Sequence, residues 1–197
     1  MSYSKVQIYN IALNNLGVSA TIQNTAQADV KTVVLNNYYN VALEQVLKDF
    51  DWNFANTYKS LTPTVNECLN PRYAHEYDYP NDCIVARKIV DESGEENNID
   101  FEISSDASGQ RVINTNVSPA TLKYTRLVNK EVFFTPEFVM ALSWYLAFLA
   151  AEAITGQANK KSNAFSIYRN MIGTALASNA NEGYENIDKD ALWIEAR

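Results

Sequence analysis

The chain has 197 residues, 47% of them hydrophobic and 20% charged, and a formal net charge of −7 with a pI near 4.8. That length suits one domain with a substantial core, and the composition excludes a disordered chain. The acidic balance excludes a protein that binds nucleic acid by neutralising phosphates, a mode that needs clustered Lys and Arg.

Two cysteines, Cys68 and Cys83, cannot build a disulfide-dense scaffold, and no charged-then-apolar leader precedes Ser4, so an intracellular chain is expected. His75 is the single histidine, so neither a Cys/His zinc site nor a multi-histidine site can be assembled from one copy. No cofactor and no metal are expected.

In chain order, Ser4 with Gln7 fits a capping box, and Ile8, Ile11, Ala12 and Leu16 follow at helical spacing until Gly17. Asn24 and Gln27 repeat the capping pattern ahead of a second helix running to about Asp49. Its stripes, Leu35, Tyr39, Leu43, Val46 and Phe50, and Val30, Val34, Tyr38 and Val41, predict contacts on two sides. Phe50, Trp52 and Phe54 then crowd the helix exit. They read as a hydrophobic plug, since a stacking platform for nucleic acid would carry interleaved basic residues.

Between residues 60 and 79 the helical period disappears, and Pro63, Pro71, Tyr73, Tyr77 and Tyr79 mark an irregular crossing that also carries His75. From 83 the period becomes two. Segments 83–90, 99–103, 111–115 and 120–127, separated by turn residues and no helix, predict antiparallel strands.

The stretch 135–155 predicts the central helix. Thr135 caps it, Pro136 sits in the first turn where no donor is needed, Glu137 complements the dipole and Gly156 stops it. One face reads Val139, Leu142, Leu146, Leu149, Ala150 and Ala153, and the other Met140, Trp144, Ala147, Phe148 and Ala151. A helix so apolar all round is buried on several sides or spans a membrane. Glu137 and Glu152 bound the run below the ~20 apolar residues of a span, which favours a core post. Phe165, Tyr168, Met171, Ile172, Ala175 and Leu176 give a fourth, amphipathic helix ending at Glu182-Gly183, followed by an acidic tail whose apolar trio Leu192-Trp193-Ile194 either folds back onto its own core or docks on a partner.

The expected fold is therefore mainly α, a helical bundle with a small inserted antiparallel β region and an extended C-terminal tail. It forms a single domain with helices to residue 60, the β insertion at 80–130, helices at 135–182 and the tail at 183–197. Trp52, Phe54, Phe138, Trp144 and Phe148 are the large side chains expected to build the helical core.

The chain contains no Gly-rich phosphate loop, nucleophile elbow or paired His ligands on a helix. Asp51, Glu76, Asp78 and Asp82 lie near the aromatic crossing, where a glycosidase would need two carboxylates at a set separation, but spacing alone does not pair them. His75 as a general base would need a nucleophile or water within reach that the sequence does not identify. No catalytic residue is assigned.

Taken together, Trp52-Asn53-Phe54-Ala55, Tyr79-Pro80-Asn81-Asp82-Cys83, Phe133-Phe134-Thr135-Pro136-Glu137-Phe138 and the terminal Leu192-Trp193-Ile194-Glu195-Ala196-Arg197, in this order, resemble the head-to-tail adaptor family of short-tailed bacteriophages, also called tail tubular protein A. The resemblance covers nearly the whole chain through short motifs. It implies a structural virion protein at the head–tail junction, assembled in the host cytoplasm as a dodecameric ring that docks on the portal protein and links it to the tail nozzle protein. DNA would pass through the channel without specific binding, no membrane is involved, and the subunit could be monomeric when free.

By the same likeness the tail becomes the portal contact, through Tyr184, Leu192, Trp193, Ile194 and Arg197, and the β insertion the contact with a neighbouring copy or the nozzle. Some adaptors of this kind are associated with peptidoglycan hydrolysis, which is the alternative reading. Cys83 stands where an aliphatic residue is expected, and 68–77 matches no family motif.

Overall fold

The computed structural model describes residues 3–19, 21–64, 68–90 and 99–182. The turn expected at 91–98 and the tail at 183–197 lie outside them.

Helix α1 (Lys5–Asn15) opens on the Ser4–Gln7 capping box, the Gln7 N–H donating to Ser4 Oγ at 3.3 Å and the Ser4 N–H to Gln7 Oε1 at 2.9 Å. It closes through Gly17 at φ 68°, and Lys160 Nζ donates to the freed Leu16 carbonyl at 2.6 Å. Helix α2 (Val30–Asp49) begins later than its sequence pattern suggested. The cap is Asp29, which accepts from the N–H groups of Lys31 and Thr32, whereas Asn24 Oδ1 accepts from the Ala26 N–H two residues on. An Asn that bonds its own backbone at that distance makes a turn and not a helix start.

Helix α3 (Pro136–Thr155) has the expected ends, with Thr135 accepting from the Phe138 N–H and Gly156 in the left-handed conformation. Gly156 and Gln157 turn the chain into α4 (Ala158–Glu182). By length and composition α3 could cross a membrane, so length does not set that reading aside. Its packing does, because α1, α2 and α4 all contact it, and Phe138, Leu142, Leu146, Ala147, Ala150 and Ala151 are buried among them.

Of the large side chains expected in this core, Trp52 and Phe138 are buried while Phe54, Trp144 and Phe148 are half-buried. The plug closes edge-to-face, with Phe138 at 5.0 Å from both Trp52 and Phe54 and at 4.7 Å from Phe134. Trp52 Nε1 donates to the Val46 carbonyl at 2.8 Å, which ties the plug to α2.

The expectation of a mainly α bundle with a small insertion is corrected. Among the described residues the fold is a mix of about 47% helix and 21% strand, with two three-stranded antiparallel sheets. Strands β3 (Cys83–Val90), β4 (Phe101–Ser105), β5 (Arg111–Thr115) and β6 (Thr121–Arg126) lie where the period of two placed them. Two more, β1 (Asn56–Ser60) and β2 (His75–Asp78), lie in segments read as helix end and irregular crossing.

The sheets have orders β1-β6-β3 and β2-β5-β4, and residues 61–64 carry the chain from one to the other. Leu122, Tyr124, Cys83 and Ile89 of the first share one core with Tyr77 and Ile113 of the second. The β part is thus a small sandwich with its own core.

Arg87 on β3 joins this sandwich to the helices. Its Nη2 donates to the carbonyls of Leu47, Lys48 and Phe50 at 3.4, 3.2 and 2.9 Å, the unpaired C-terminal end of α2, and its Nε donates to Thr125 Oγ1 at 2.9 Å. Asp51 Oδ1 lies 3.3 Å from the same Nε without hydrogen-bond geometry, so it contributes charge only. A cation over the last carbonyls of a helix satisfies orphan acceptors and complements the dipole.

Replacing Arg87 by Met should therefore lower stability by about 2–4 kcal/mol in urea titration, and Arg87→Lys should recover only part, since an ammonium lacks the planar fork that serves several acceptors. Phe138→Ala should cost about 3–5 kcal/mol, and Trp144→Ala less, because part of that ring stays in water. Denaturation midpoints of the two variants test the ranking.

Candidate functional site

Three places gather chemically capable side chains. The first is a shallow pocket of about 360 Å³ beside β2, lined by Thr64, Cys68, Tyr73, His75, Glu76 and Tyr77 among others. Glu76 is buried and its Oε1 accepts from Thr64 Oγ1 at 3.1 Å. Cys68 Sγ donates toward the Asn70 carbonyl at 3.5 Å and Asn114 Oδ1 at 3.4 Å, and Asn114 Nδ2 in turn donates to Ser104 Oγ at 2.6 Å. A nucleophilic thiol needs a base within hydrogen-bond reach, and these contacts bind Cys68 to amide oxygens.

The second place is the start of β3. Cys83 Sγ donates to Tyr79 Oη at 3.1 Å, and the Arg111 guanidinium stacks 4.0 Å from the Tyr79 ring. Burial pushes both the Cys83 thiol and the Tyr79 phenol up from their ordinary values. Cys83, where an aliphatic residue was expected, is a small buried hydrophobe with one donor. Asp82 Oδ1 accepts from Tyr124 Oη at 3.0 Å, and burial, with this carboxylate, pushes the Tyr124 phenol up to about 12.

Of the four carboxylates singled out in sequence, Asp51 is paired with Arg87, Glu76 with Thr64 and Asp82 with Tyr124. Asp78 is exposed, in a polar pocket that Lys59 and Arg111 also line. Among the described residues no three His, Cys, Asp or Glu side chains come together as a metal site.

The third place is a groove of about 560 Å³ between α3 and α4. The two helices run antiparallel through the Gly156 turn, and toward the open end of that hairpin Met140 and Ala141 face Ile167, Met171 and Ala175 across Trp52. Glu137, Asn170 and Thr174 supply its polar lining. This volume lies in the range of about 300–1,000 Å³ typical of ligand sites, and the lining is predominantly apolar, as in such sites.

The sequence stripe Val30, Val34, Tyr38 and Val41 is not a second buried side of α2. Val30 is 72% exposed, Val41 57% and neighbouring Val33 47%, while Val34 and Tyr38 are half-buried. Among the described residues nothing covers Val30, Val33 and Val41. The partner-binding candidates Tyr184, Leu192, Trp193, Ile194 and Arg197 lie outside the described residues.

Sequence reasoning missed the Arg87 clamp and the groove. Arg87 sits in an alternating run with no outward sign of its partners, and the groove depends on how far two helices separate. No protein-family model matches the chain, and no curated protein matches it.

The two thiols give a direct check. Iodoacetamide at neutral pH should alkylate Cys68 in the folded chain while Cys83 stays largely unmodified until denaturant is added, as read by peptide mass spectrometry. Equal folded-state rates would contradict the buried, hydrogen-bonded thiol.

Proposed function

We propose that the chain is a structural subunit of a head-to-tail adaptor ring in a short-tailed phage, contacting the portal protein through its C-terminal tail and the nozzle side through its β part. The observation that carries this reading is the uncovered valine line on α2, Val30, Val33 and Val41. Apolar surface aligned on one helix face and left in water marks a protein–protein contact. A ring supplies a neighbour of the same kind at every such face.

The rest of the architecture supports the same reading. A helical body with a central post and a sandwich clamped to it are parts a connector subunit needs. Cys68, Glu76, Asp51 and Asp82 are engaged in structural contacts. A net charge of −7 suits a channel wall past which DNA slides.

Co-expression of the full chain with its cognate portal protein should give a ring-shaped complex by electron microscopy. In the same assay Val30→Glu with Val41→Glu should leave the free subunit folded and prevent ring closure, while Trp193→Ala should weaken retention on the portal at least tenfold. Unimpaired rings from the valine variant would remove the observation on which the proposal rests, and unimpaired portal binding by Trp193→Ala would remove the tail assignment.

A further inference from the structure

We infer that Leu192-Trp193-Ile194 seats in the apolar groove between α3 and α4 of its own chain. The groove is open in the described residues, with Met140 39% exposed at its wall and Trp52 at its base. It lies beside the end of the hairpin from which the last 15 residues depart.

Length permits the return. From Glu182 back to the level of Met171 is about 16 Å along a helix rising 1.5 Å per residue. The nine residues 183–191 span up to about 30 Å when extended, so the trio reaches the groove with slack.

Chemistry selects the same segment. Leu192, Trp193 and Ile194 are the only three consecutive large apolar residues after Glu182, and Asp188, Lys189, Asp190 and Glu195 flank them. An indole between two methionines, Met140 and Met171, meets adaptable, polarizable walls that favour sulfur–aromatic contact.

Tethering favours this occupant over a free one. A short flexible linker holds its end at an effective concentration in the millimolar range, so an intrinsically weak seat is occupied, and the closure entropy of so short a loop is small. The seat does not depend on what the tail later binds. On the adaptor reading, a portal that takes Trp193 must first displace it from the groove, and its apparent affinity falls by the fraction of tail that is free.

The test is amide hydrogen exchange on the full-length chain, without portal, at two protein concentrations a hundredfold apart. The expected result is exchange at Leu192, Trp193 and Ile194 at least tenfold slower than in an unprotected chain and equal at both concentrations. Met140→Glu, at an already exposed position, should abolish that protection while the amides of α3 keep theirs, and Met171→Glu should do the same. Unprotected rates in the wild-type chain would overturn the inference. So would protection that survives both variants, and protection that grows with concentration would assign the groove to the tail of a second copy.

Discussion

Arg87 carries the connection between the two halves of this chain. A β strand that begins more than thirty residues after α2 delivers a guanidinium to the carbonyls of Leu47, Lys48 and Phe50, with Thr125 and Asp51 holding its other side. The last carbonyls of a helix need partners when water is excluded from them. Here the partner comes from the other core, so the end of α2, the start of β1 and the position of β3 are fixed together.

On either side of that joint the chain builds independent interiors. The helical one is arranged around α3, whose apolar circumference serves three neighbours at once, and the aromatic plug of Trp52, Phe134 and Phe138 closes its lower end. Polar tethers fix the helices further. Tyr168 Oη donates to Asp49 Oδ2 at 2.7 Å and Tyr39 Oη to Glu131 Oε1 at 3.0 Å, each phenol pushed well up by burial first and by its carboxylate second. The sandwich has a smaller core and wraps its strands by crossing from sheet to sheet at 61–64. On the proposed adaptor reading, this joint would hold the surfaces of the two parts in the fixed relation that a closed ring demands.

Among the described residues, the valine line of α2 and the groove between α3 and α4 are open apolar features. They differ in kind. The valine line is flat and faces outward, suited to another helix or a second copy, while the groove is concave and suited to a few inserted side chains. On the proposed adaptor reading, one would serve lateral contact and the other would hold the tail.

The helices were legible in the sequence because their determinants are local. Ser4 and Gln7, Thr135 and Pro136, and Gly156 each act within one turn, and the inward stripe of Leu35, Tyr39, Leu43 and Val46 follows directly from 3.6 residues per turn. The β-like run of β3 and the alternation of Ile99, Phe101 and Ile103 leading into β4 were legible for the same reason. The start of α2 was misplaced because Asn24 and Asp29 both offer capping chemistry, and only the path of the connection decides which one meets a helix. The strands β1 and β2 were not legible. Asn-Thr-Tyr-Lys-Ser and His-Glu-Tyr-Asp carry no alternation, and they are strands because β6 and β5, far along the chain, present open edges to them.

By itself, then, the sequence determined where the helices run, that the middle of the chain pairs as antiparallel strands, and that α3 is apolar on every side. Tertiary structure decided that the β part is a two-sheet sandwich with its own core, that Val30 and Val41 of the second stripe of α2 face water, and that Arg87 ends a helix it is distant from in sequence. The physical reason is range. Caps and periodicity act over three or four residues, whereas strand pairing, the burial of one stripe over another and the choice of a partner for an orphan carbonyl are settled only when distant segments compete for the same space.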